Sequence, residues 1–401
     1  MRNGLPASLR IVPKRLTTKF HELPVFGPLS ESVQLKHTRS PLPSLLRSAR
    51  HTAAILNKKS NNAVFLTTNT MSQIMEIVRN KWGTLPAEST ESFTGRTILI
   101  TGATSGLGYA AAVKFAKLGA SKIIITARDE TKGEAVKTRL LAEVGEASEF
   151  EVWTLDMNSY DSITQFTQRI DKELEHLDVA ILNAGVFNTS YETSGYGWEE
   201  DLQVNTLSTT LLGILLLPKL KKSKTYTGKI PILQFVNSGA HKTVEIPVGL
   251  RTQEPSNILS ELNKPELYKG AMKQYASSKL LQRYAAIQLA KAIPSSEVII
   301  TCVCPGMVVS DISRHIQFPG VKIVTAVAHA LLFRTADQGA NVYVSGAAQN
   351  QELHGRFWAS DVIEPDTQSI VGEENEKVAR KVWNEIVEEL GKHVPDVREC
   401  I

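Results

Sequence analysis

Cysteine is scarce in this chain, with three in 401 residues, and that excludes a disulfide framework. Cys302 and Cys304 stand two apart in "IITCVCPG", too close to bridge along an extended strand, so a reducing compartment is the natural reading. Long apolar runs are missing as well. None reaches the roughly 18–20 uninterrupted residues that a membrane helix needs. "NTLSTTLLGILLLPKL" is short and dotted with threonine, and "VKIVTAVAHALLF" is broken by Lys322 and His329. Both read as buried or interface helices, and no transmembrane segment is expected. The nine histidines and three cysteines show no ligand spacing, so no metal is expected. Net positive charge is missing from most of the chain. The net charge is +4, yet residues 1–70 carry eleven Lys/Arg against two Asp/Glu, a net of +9. The other 331 residues therefore carry 4 − 9 = −5, which argues against a nucleic-acid surface.

The basic segment 1–70 forms its own unit, rich in Pro, Ser, Arg and Lys. Its "PSLLRSARHTAAIL" would make a weak amphipathic helix with Leu45, Leu46, Ala49, Ala53 and Leu56 on one side, in the manner of an organellar transit peptide. The favoured reading is disorder, or upstream sequence joined to the gene, because Met71 in "MSQIMEIVRNKWGTLP" looks like a natural start. The expected location is cytoplasmic, or mitochondrial if residues 1–70 are a working transit peptide. Residues 71–95 read as a leader and 96–401 as the main domain.

From residue 96, apolar β-branched runs alternate with helical patterns. "RTILITGA", "SKIIITARD", "EFEVWTLDM", "DVAILNAGV", "KIPILQFVNSG" and "EVIITCVCPG" read as strands, with a helix of ten to twenty residues between successive strands. Short strands that are apolar on both faces, separated by helices, specify a parallel sheet covered on both sides. The expected fold is α/β, a doubly wound parallel sheet of the Rossmann type in a single domain.

"TGATSGLG" at 101–108 follows the first strand and opens the first helix. Gly102 permits a tight turn, Gly106 lets backbone approach a pyrophosphate, and Gly108 allows close helix–strand packing; Ser105 sits at the helix start. In this position the pattern points to a dinucleotide. The end of the second strand, "ITARDETK", has Thr126 and Ala127 where an acid would hold a ribose 2′-hydroxyl. Arg128, with Lys132 four residues on, favours a 2′-phosphate, hence NADP(H) over NAD(H).

Among nine tyrosines only Tyr275, in "QYASSKL", has a lysine four residues later, Lys279. On a helix that spacing puts phenol and ammonium on one face. Read with the glycine loop, Asp156 after the third strand, "NAG" at 183–185, Asn205 in the fourth helix, Ser238 after the fifth strand and "PG" at 305–306, the chain resembles the short-chain dehydrogenase/reductase family from about Thr97 to at least Ser310. The resemblance implies that Tyr275 exchanges a proton with the carbonyl oxygen while the cofactor delivers hydride. Lys279 lowers the phenol's pKa and holds the nicotinamide ribose, Ser238 orients the carbonyl, and Asn205 holds a relay water. It further implies cofactor contacts for Leu107, Asp156 (adenine amino group), Asn183 (adenosine ribose), and Val308 and Ser310 (carboxamide).

The chain departs from that pattern in three places. Asn237 stands where a serine often precedes the catalytic one, and Ser310 replaces a threonine. Thirty-six residues separate Ser238 from Tyr275, where the family commonly has about a dozen. The extra segment, about 243–270, is expected to make a helix or lid beside the substrate pocket. Such insertions resemble fungal reductases and the retinol-dehydrogenase-like branch. Helices beyond the sixth strand should roof the pocket, with His315, His329 and Phe333 as packing or substrate-facing residues. Helices four and five are the faces the family pairs into homodimers. The leading expectation is reduction of a ketone or aldehyde to an alcohol, or the reverse, on a moderately apolar small molecule such as a fungal specialised-metabolite intermediate. Retinoid- or steroid-type alcohol dehydrogenation is the runner-up, and an NADP(H)-binding regulator without turnover is the alternative of another class.

Overall fold

The β-branched runs pair into one sheet, as their two-sided hydrophobicity requires. In this computed structural model the described residues are Gly83, 85–146, 148–309 and 333–401. The readings of segment 1–70, of most of the leader, and of Ser310, His315 and His329 fall outside them. The strands are β1 (Thr97–Ile100), β2 (Lys122–Ala127), β3 (Glu149–Thr154), β4 (Val179–Leu182), β5 (Ile232–Val236), β6 (Ile299–Cys304), β7 (Phe357–Ala359) and β8 (Val362–Glu364). Their order across the sheet is 3-2-1-4-5-6-7-8, parallel except for β8. The register sets Leu99 beside Ile124 on one side and Ala180 on the other.

The helices are α1 (Gly106–Lys117), α2 (Glu130–Val144), α3 (Tyr160–Glu173), α4 (Thr209–Thr227), α5 (Val248–Arg251), α6 (Ile258–Leu262), α7 (Ala271–Ala292), α8 (Ala336–Ala347) and α9 (Glu373–Gly391). Alternate strand residues feed two cores. Ile98, Ile100 and Ile123 pack with α1, α2 and α8, while Leu99, Ile124 and Leu233 pack with α3, α4, α7 and α9. Among the described residues no helix is long and apolar enough to cross a membrane.

"FWASDVIEP" forms a hairpin: Ser360 and Asp361 both take left-handed φ (51° and 59°) and turn β7 back as β8. That two-residue turn suits the strand twist but lacks the glycine that usually announces it. The insertion, expected to make a helix or lid, forms the short α5 and α6, and the first N–H groups of α6 at Ile258 and Leu259 donate to the Glu385 carboxylate on α9 (3.0 and 2.7 Å). The apolar faces of helices α4 and α7 are used within the chain. Leu211, Leu212, Ile214, Leu216 and Leu217 are wholly buried, and the chain's own α9 and the turn Pro395–Cys400 pack over these helices.

Candidate active site

At β1 the strand order reverses, and a cleft of about 460 Å³ opens there. Open α/β sheets bind ligands at such switch points. Gly102 and Gly106 hold left-handed φ (64° and 55°), a conformation a side chain would strain. A Cβ on Gly108 would lie 2.8 Å from Ala103 Cα, the Gly102 carbonyl oxygen and Asn183 Nδ2, so only glycine lets α1 sit this close to the strand ends. Ser105 caps α1 in extended geometry with its hydroxyl unused by the helix, leaving a polar helix start facing the cleft. These features fit a dinucleotide's phosphates.

Ser105, Gly106, Leu107, Arg128, Asp156 and Asn183 all line this cleft. Thr126, where an acid would exclude a 2′-phosphate, is buried and accepts the Gly102 N–H through its hydroxyl (3.1 Å). Asp129 is occupied as the cap of α2, accepting Lys132 N–H at 3.0 Å, which removes it from the ribose question. Lys132 lies outside the cleft lining, so Arg128 is the cation on this wall. Asn183 is turned toward the protein rather than the ribose. Its amide donates to the Thr101 and Gly102 carbonyls (2.8 and 3.1 Å), and its oxygen accepts from the Tyr343 hydroxyl at 2.9 Å. Leu107 and Val308 close together over Gly339 of α8, a residue the sequence reading passed over.

Beside the cleft, the edge of β5 delivers Ser238 and α7 delivers Tyr275 and Lys279. The insertion does not keep the serine and tyrosine apart: the Ser238 hydroxyl faces the Tyr275 phenol and opposes the rise in its pKa. Burial still dominates and holds the phenol well above its ordinary value. The expected lowering by Lys279 is not what this geometry delivers. Its Nζ lies 5.9 Å from the phenol ring centroid and donates to the Val236 carbonyl at 2.9 Å. Lys279 is itself buried, which brings its pKa down to about 8. The edge of the Phe187 ring meets Tyr275, centroids 5.4 Å apart at 70°.

Asn205 sits in a widened π-type turn, Leu202–Ser208, that leads into α4. Such turns leave carbonyls without their usual i+4 donors. Here side chains supply the donors: the Thr209 hydroxyl reaches the Val204 carbonyl (2.7 Å) and Gln282 reaches that of Asn205 (2.8 Å). The Asn205 carboxamide clamps both backbone groups of Val186 (2.9 Å each) and donates to the Ser278 hydroxyl at 3.1 Å. One turn earlier, Asp201 accepts Asn188 N–H at 3.1 Å and is fully buried. Burial, together with neighbouring Glu199, raises its carboxyl to about 8. Nothing in the sequence pattern distinguishes this acid from the half-buried Glu200 beside it.

A doubly wound sheet with a glycine-lined cleft at its switch point defines a Rossmann-type nucleotide-binding protein. Comparison with known proteins names the family. The short chain dehydrogenase profile matches residues 96–240. The chain is 37% identical over 317 residues to the short-chain dehydrogenase/reductase ffsI of Aspergillus flavipes, covering 79% of this chain and 92% of that protein. It is 36% identical over 316 residues to phmF of Phaeosphaeria nodorum, again a short-chain dehydrogenase/reductase, covering 78% and 92%. Among solved structures, the RhlG/NADP active-site complex of Pseudomonas aeruginosa shares the fold, with a TM-score of 0.52 at 22% identity over 67% of this chain and 96% of that one. The chain belongs to the short-chain dehydrogenase/reductase family of oxidoreductases.

Proposed function

We propose that residues 96–401 form an NADPH-dependent carbonyl reductase whose proton-transfer unit is Ser238, Tyr275, Lys279 and Asn205. The observation that carries this is that Tyr275 and Lys279 border the glycine-lined cleft, Tyr275 against Phe187 and Lys279 Nζ 3.8 Å from a Cβ placed on Gly185, both in its lining. Bound in the glycine-lined cleft, the cofactor supplies the hydride. Tyr275 gives its phenolic proton to the carbonyl oxygen, and a phenol kept protonated by burial suits a donor in the reductive direction. The Ser238 hydroxyl orients that oxygen. Lys279, cationic below about pH 8, would hold the nicotinamide ribose beside the phenol. Asn205 holds the loop at Val186 that borders the site. Arg128, with no acid competing from the end of β2, is the residue that favours a 2′-phosphate. The apolar Phe187 against Tyr275 supports a moderately apolar substrate, and the fungal relatives support a fungal specialised-metabolite intermediate as its class.

The test is NADPH consumption by the purified protein over a panel of ketones, aldehydes and quinones, beside Tyr275→Phe. Turnover that disappears in the variant while NADPH affinity is kept supports the reading. Turnover that survives in Tyr275→Phe refutes it.

A further inference from the structure

Three residues of the proposed site, Ser238, Lys279 and Asn205, are tied through their backbone groups by a layer of hydrogen bonds that the reaction itself does not use. We propose that Asn237 and Gln282 are a coupled pair of positioning residues that lock Ser238, Lys279 and Asn205 into one frame; this rests on the reading above. Asn237 Oδ1 accepts Ser238 N–H at 2.8 Å. Its Nδ2 donates to the Lys279 carbonyl at 2.9 Å and to Gln282 Oε1 at 2.8 Å. Gln282 Nε2 then donates to the Asn205 carbonyl at 2.8 Å. One unbroken chain therefore runs from the serine through Asn237 and Gln282 to the asparagine, with a branch to the lysine carbonyl, and both carboxamides are buried (2% and 0% exposed).

The orientation of each amide is forced by its backbone partner. Ser238 N–H can only donate, so the oxygen of Asn237 faces it. The Asn205 carbonyl can only accept, so the nitrogen of Gln282 faces that. The remaining contact between the two amides is then necessarily N–H to oxygen. Position 237 is also where this chain departs from the serine its family often has. A serine hydroxyl, with one donor and a shorter reach, cannot serve Ser238, Lys279 and residue 282 together. Change at either position leaves the other with an unmet buried group.

The experiment measures kcat and KM for NADPH and for 9,10-phenanthrenequinone in wild type, Asn237→Ser, the near-isosteric Gln282→Met, the double variant and Tyr275→Phe. Assays run well below each variant's melting midpoint. Each single change should lower kcat by about 10- to 100-fold, as loss of fine positioning does, with both KM values within about threefold. The double variant should be no slower than the worse single. If Tyr275→Phe is inactive while Asn237→Ser and Gln282→Met keep wild-type kcat, the pair has no positioning role although the reaction reading stands. Independent effects that multiply in the double variant also overturn the coupling. Turnover persisting in Tyr275→Phe removes the reading and this inference together. Should wild type not reduce the quinone, amide hydrogen exchange decides. Protection at 236–241 and 279–283 should fall at least tenfold in each single variant with β1 and α1 unchanged, and unchanged protection throughout overturns the proposal.

Discussion

Replacing Asp201 by asparagine should stabilise this protein by an amount that grows with pH. The carboxyl is fully buried, with one oxygen on Asn188 N–H and the other, Oδ2, lacking a partner. In the folded state it holds its proton up to about pH 8, whereas an unfolded aspartate releases it near 3.9. Above about pH 4 the folded protein thus binds the extra proton, unfolding sheds it, and stability falls as pH rises toward 8. At pH 7 the difference is about three pH units, or roughly 4 kcal/mol. Asparagine carries no such burden and keeps the acceptor for Asn188. Its amide nitrogen takes the place of an unpartnered oxygen, a fixed cost of about 1–3 kcal/mol that moves the offset and leaves the slope alone. Urea unfolding at pH 5, 6 and 7 should show the stability gap between variant and wild type widening by about 1.4 kcal/mol per pH unit. Parallel curves over that range would mean that Asp201 is ionised in the fold, and the reasoning would be wrong.

Other outcomes follow from the same geometry. Gly108→Ala pushes a methyl to 2.8 Å from backbone and should weaken NADPH binding more than about tenfold in a fluorescence titration, with a lower melting midpoint; unchanged affinity would remove the cradle argument. Arg128→Glu should lose about 10- to 100-fold in NADPH affinity and little for NADH, and equal losses for both would separate Arg128 from the 2′-phosphate. His241 is buried with Nδ1 on the Ser238 carbonyl, and burial lowers it to about 4. It stays neutral in the fold while the unfolded ring gains a proton below about 6.5, so its own contribution to stability should fall by roughly 1.4 kcal/mol per pH unit between 6 and 4, against the opposite slope from Asp201. His241→Phe should remove that contribution from the acid limb of unfolding, and an identical limb would count against it. Light scattering should find monomers, because α4 and α7 are already covered; a stable dimer would contradict that.

Much of the frame was legible because parallel strands and glycine turns leave strong local marks. The runs at β1 to β6, the loop at 102–108 and the Tyr275–Lys279 spacing all carry their reason within a few residues. What stayed hidden depends on distant partners. The capping role of Asp129 shows only once its carboxylate is found on Lys132 N–H. Asn205 reads as mid-helix, since a widened turn is stabilised by Thr209 and by Gln282, 77 residues away. The docking of the insertion depends on Glu385, more than a hundred residues further on, and no pattern within 243–270 points to it. The Ser360–Asp361 turn shows how residues without glycine can still adopt left-handed φ when a sheet edge holds them.

Helix α9 and the turn after it carry a consequence for how the protein is made. Val382, Ile386, Leu390 and Val397 are buried in the core that backs α4 and α7, and all of them leave the ribosome after every strand of the sheet. Domains tend to fold as units during synthesis. Here the outer side of the core behind α7 stays open until translation has delivered its cover. The interval between β8 and α9 is therefore when the nascent chain most needs a chaperone.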